Sequence, residues 1–103
     1  MKLIKLLSEE IKHNIHEAEE KIEMAYKMRD ADKAIGDWYK DMAVKHLAFN
    51  DTGHSIVVRL IKEAEEEHKN NPLYAGMMAV YNEMHADIMA ESAEVQGMIS
   101  AYK

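Results

Sequence analysis

Apolar residues recur along this chain at steps of three and four, the spacing that lines up one face of an α-helix. In the first segment they are Ile4, Leu7, Ile11, Ile15, Ala18, Ile22, Ala25 and Met28, and they predict a helix over residues 3–29. Ser8-Glu9-Glu10 offers a later, capped start to the same helix. Arg29-Asp30-Ala31-Asp32 is the first break, with Asp30 or Asp32 suited to cap the next helix.

The second segment predicts a helix over residues 33–69 with two series at seven-residue intervals. One is Ile35, Met42, Phe49, Ile56 and Glu63; the other is Tyr39, His46, Gly53, Leu60 and Glu67. Together they predict a seam that is apolar in its first half and acidic at its end. Asn50-Asp51-Thr52-Gly53 has the residue types of a turn. The apolar phase nevertheless crosses it unchanged, whereas a loop resets phase. One long helix with a weak point at Gly53 is therefore expected, with four shorter helices as the alternative. Asn70-Asn71-Pro72 is a stop and then a start, because Pro cannot continue a helix but can begin one.

A third helix is predicted over residues 73–101. Its apolar set is Leu73, Met77, Val80, Tyr81, Met84, Ile88, Val95, Met98, Ile99 and Tyr102, widened by Tyr74, Met78 and Met89. That arc exceeds what contact with two neighbours requires, so a further subunit is expected against it. The predicted fold class is all-α: three long amphipathic helices in an antiparallel bundle, one domain over residues 1–103, completed by self-association into a homo-oligomer.

Composition agrees. A chain of 103 residues defaults to one domain with a modest core. Apolar residues at 48% and charged residues at 31% argue against disorder, and nine Met with one Pro favour helix. The net charge of −6 repels a phosphate backbone, so nucleic acid is not an expected partner. The absence of Cys removes disulfides, thiolate metal sites and thiol nucleophiles. The opening MKLIKLLSEEIKH lacks the pattern of a signal peptide, and no apolar run approaches a membrane span. A soluble cytoplasmic protein without a membrane partner is the expectation.

Six histidines are the chemistry-bearing feature. Glu10-x-x-His13, Asp51-x-x-His54 and Glu65-x-x-His68 share one spacing, and Asn82-x-x-His85 carries an amide in the carboxylate position. Residues three apart on a helix point the same way, so a carboxylate and an imidazole can hold one metal ion. Such ligands suit iron, manganese or zinc. Glu17 and Glu20 border the apolar face of the first helix, in the stripe of Glu10 and His13. His46 falls within the seam, His54 lies beside Gly53, and His85 beside Met84 and Ile88. Each has a structural alternative: a buried histidine can be satisfied by a hydrogen bond, and an acidic helix produces surface Glu-x-x-His pairs by chance. The run over residues 62–69 reads as a solvated helix end. No Gly-rich phosphate loop and no Ser-His-acid arrangement stands out.

Ile15-His16-Glu17-Ala18-Glu19-Glu20, His54-Ser55-Ile56-Val57-Val58 and Val80-Tyr81-Asn82-Glu83-Met84-His85, with Ala93-Glu94-Val95 after them, resemble small ferritin-like proteins of gut bacteria and their prophages. The resemblance runs from residue 15 to residue 102. It implies a ferritin-like bundle with inward carboxylates and histidines. The matching positions are Glu17, Glu20, His54, His85 and Glu94. Two departures stand out. His46-Leu47-Ala48-Phe49 occupies the place of a Glu-x-x-His pair, and Asn82 that of an Asp. His46 then takes the place of a carboxylate ligand.

Two functions are expected from these readings. The first is a ferritin-like protein binding iron, manganese or zinc through Glu17, Glu20, His46, His54, His85 and Glu94. The second is a non-enzymatic interaction protein that binds a host protein, or sequesters a small ligand, through an oligomeric helical surface. A purely structural oligomer is a third.

Overall fold

The computed structural model describes residues 2–103. It contains α1 (Lys2–Met28), α2 (Lys33–Glu67) and α3 (Pro72–Ala101). The first turn carries an expected cap; at the second, Asn71 caps the start of α3 rather than the end of α2, which closes at His68. Asp32 Oδ1 accepts from the Ala34 amide at 2.9 Å and caps α2. Asn71 Oδ1 accepts from the Leu73 amide at 3.1 Å, with Pro72 opening α3.

α2 is one helix through residues 50–53, as the unbroken phase predicts. Gly53 weakens a helix by about 1 kcal/mol relative to Ala. Its missing side chain lets α1 come close: a Cβ there would stand 3.3 Å from Ile11 Cγ1.

The helices run up, down and up. Ile11 lies beside Gly53 and Arg29 beside Gly36, so α1 and α2 are antiparallel. His85 stacks on His54 and Asn82 bonds Glu65, so α3 returns along α2. Tyr26 meets Met98 and Tyr102, so α3 is parallel to α1. The result is a rod of 58 × 17 × 16 Å.

The core of α1 is the predicted face: Ile4, Ile11, Ile15, Ala18, Ile22 and Ala25 are buried. α2 differs. Its buried positions are Gly36, Ala43, Leu47, Asn50, Val57 and Ile61, while Ile35, Phe49 and Ile56 face solvent. The core seam thus lies one residue, about 100° of helix rotation, from the one the larger apolar residues predict. Small residues decide it. Gly36, with the Arg29 backbone beside it, and Gly53, beside Ile11, let α1 come close along this side of α2, while Trp38 and Phe49 stay on the exposed side. On α3, Met78, Ile88, Val95, Ile99 and Tyr102 are buried, whereas Leu73, Met77, Val80 and Met89 are exposed.

An aromatic tie closes the end near the first turn. Tyr26 Oη donates to the Met98 carbonyl at 2.8 Å. The Tyr26 and Tyr102 rings meet edge to face at 5.4 Å, and the Arg29 guanidinium lies 4.7 Å from the Tyr26 ring centre. Tyr102 Oη donates to Asp37 Oδ1 at 3.2 Å. Lys33 holds the Asp37 carboxyl below the usual carboxylate range, with Tyr102 adding to it. Burial, then the bond to Asp37, pushes the Tyr102 phenol up, which keeps it a donor.

Candidate functional site

Near the middle of the rod α2 carries the half-buried His46 and His54 on either side of the buried Asn50. His46 and His54 are eight residues apart, about 12 Å along the axis, and they have different partners. His46 Nδ1 lies 3.4 Å from Asn14 Oδ1 on α1, so the tautomer protonated at Nδ1 donates a long hydrogen bond. Met42, Lys45 and Phe49 line the same groove.

His54 instead faces α3. Its ring stacks on that of His85, with centroids 4.2 Å apart and planes 16° apart. His85 Nδ1 is buried without a hydrogen-bond partner among the described residues. Burial, then the neighbouring His54 ring, holds the His85 pKa below its ordinary value of 6.5. The groups facing this pair are named by the cavities beside it. α2 brings Asp51, Lys62 and Glu65, α3 brings Asn82, and α1 brings the apolar Ile11 and Ile15.

A lowered pKa means that the unfolded chain takes up the His85 proton first as pH falls. Stability then drops from pH 6.5 downward until the folded-state pKa is passed. The expected result is a Tm that declines on acidification, with a shallower decline in His85→Phe, which keeps a ring on His54 but cannot titrate. Parallel Tm–pH curves for the two proteins would contradict it.

The other candidate ligands stand elsewhere. Glu17 Oε1 is 3.9 Å from His13 Nε2, and Glu20 Oε1 is 3.1 Å from His16 Nε2, each pair at i,i+4 on α1. Glu94 is exposed on α3. Glu65 accepts from Asn82 at 2.9 Å, and the His68 ring stacks on Tyr74. His54 and His85 are therefore brought together, and Glu17, Glu20, His46 and Glu94 do not converge on them. Among the described residues no group of three or more His, Asp or Glu is arranged to hold a metal ion. The stack adds a geometric reason. An imidazole ligates in its ring plane, and two nearly parallel rings have no common in-plane point between them. As stacked, the His54 and His85 rings do not share one metal ion.

Three features of the interior lie outside the sequence expectations. Asn50 occupies the core face of α2, 3% exposed, with neither side-chain polar atom partnered among the described residues. Its place within a turn-like tetrapeptide concealed it. Asn14 and the Tyr102–Asp37 bond depend on contacts between distant residues and leave no local signal.

Among the described residues no helix is long and apolar enough to cross a membrane. The fold is an up-down-up three-helix bundle with the buried amide of Asn50 near its middle. No family model, curated protein or solved structure matches the chain.

Proposed function

We propose that this chain is a self-associating, non-enzymatic helical protein, and that the outward apolar face of α2 is its interface with a second copy. One observation carries the reading: Trp38 is 57% and Phe49 68% exposed, on a helix that already buries a different face. Ile35, Met42, Phe49 and Ile56 repeat every seven residues, the period that keeps a stripe facing a partner helix. The stripe runs about 30 Å. Its order suits a copy of itself. In an antiparallel two-fold pair, Ile35 falls opposite Ile56 of the second copy and Met42 opposite Phe49. Such a contact is isologous, the commonest route to a dimer. Sedimentation equilibrium at micromolar concentration is expected to give a multiple of the 11.9 kDa chain mass. The monomer mass at every concentration would refute the reading.

A second reading keeps the ferritin-like resemblance and is favoured by the unpartnered His85 Nδ1 beside His54. In it, the chain holds iron, manganese or zinc through these two rings after one of them turns out of the stack. Glu17, Glu20, His46 and Glu94 then serve other ends, since they face away. Elemental analysis of protein prepared with each metal tests it. The expected result is near-stoichiometric metal that is lost in His54→Ala; a trace content in every preparation would end it.

A further inference from the structure

A helix interior rarely hides an amide with nothing to bond. Asn50 does so at the centre of the bundle: it is 3% exposed, and both Nδ2 and Oδ1 lack a partner among the described residues. A buried amide left in this condition destabilises the fold, so native interiors satisfy it with protein groups or ordered water.

The surroundings say which. Asn50 lines a small, partly open cavity of about 50 Å³ with Ile11 and Ile15 of α1, Asp51 and His54 of α2, and Ile88 and Ser92 of α3. One water takes about 30 Å³ of liquid volume, so there is room for one or two. The isoleucines supply apolar walls, and the Asn50 amide, the His54 ring, the Ser92 hydroxyl and Asp51 supply the polar partners an ordered water needs. An apolar void of this size stays dry, whereas a polar one fills.

We propose that this cavity is a hydration site, in which ordered water bridges Asn50 and His54 of α2 to Ser92 of α3. The water satisfies the amide that the core excludes from solvent. It also ties α3 to α2 beside the histidine stack, where the apolar packing is interrupted. The inference stands on the single chain and is independent of the self-association reading.

The test is nuclear Overhauser and rotating-frame spectroscopy on the wild-type protein, read at the Asn50 side-chain amide protons. A water cross-peak of opposite sign in the two experiments marks a long-lived bound molecule, and that is the expected result. The peak must persist in Ser92→Ala, because exchange of a hydroxyl proton can imitate bound water; its loss there would overturn the proposal. So would amide protons that show contacts to protein acceptors and none to water.

Discussion

Phe49→Glu is expected to return the protein to its monomer mass with its helix content unchanged. Phe49 is 68% exposed in the single chain, so the substitution removes nothing from the core. Glu is a better helix former than Phe, so α2 loses nothing locally. The change falls on the proposed interface instead. There an aromatic ring near the middle of an apolar stripe is the usual carrier of binding energy, and truncating one costs about 2–4 kcal/mol. That corresponds to about 30- to 1,000-fold in dissociation constant. In an isologous pair the charge enters twice, which places the effect at or above the top of that range. Sedimentation with circular dichroism measures both halves of the expectation. Loss of helix together with loss of mass would place Phe49 in the fold rather than at a contact. An unchanged mass would move the interface away from this face.

Gly36→Leu is expected to be the most damaging single change to the folded chain. A Cβ at this position would stand 2.8 Å from Arg29 Cβ and 2.9 Å from Arg29 Cα, closer than real Cβ atoms come. Arg29 Cα belongs to the turn that follows α1, so relief requires that turn to open. The same Cβ would meet the Tyr102 hydroxyl, so the bond to Asp37 is displaced and the tie between α3 and the other two helices loosens. Overpacking costs about 1–3 kcal/mol and a lost hydrogen bond about 1. At about 4–8 °C per kcal/mol, Tm should fall by about 10–30 °C. The control is Gly76→Ala, where nothing lies within 4 Å of the new methyl. It should raise stability by about 0.5–1 kcal/mol, the ordinary gain of Ala over Gly inside a helix. Thermal melts of the two variants should therefore shift in opposite directions. A Gly36→Leu melt equal to wild type would mean that α1 and α2 are further apart than described.

The two predictions concern opposite sides of the same helix. Gly36 faces inward, where the Arg29 backbone leaves no room for a side chain, and Leu47, Val57 and Ile61 continue that buried face. Trp38 and Phe49 lie on the opposite, outward side.

The sequence by itself determined the three helices, both turns and the continuity of α2. These depend on neighbouring residues: apolar spacing, Asp32 as a cap and Pro72 as a starter act within a few positions of chain. It also determined the core face of α1, where one apolar stripe stands against a charged remainder and only one burial is possible. Only the tertiary structure decided which face of α2 is inside. That helix carries two adjoining apolar stripes, and the choice between them rests on how closely α1 can come, a property of two helices together. The same holds for the site. Spacing along a helix put candidate ligands on shared faces, but whether His54 meets a carboxylate or the ring of His85, 31 positions away, is set by the register of α3 on α2. Periodicity fixes directions within one helix; contact between helices fixes distances, and those decided the surroundings of Asn50, His46 and His85.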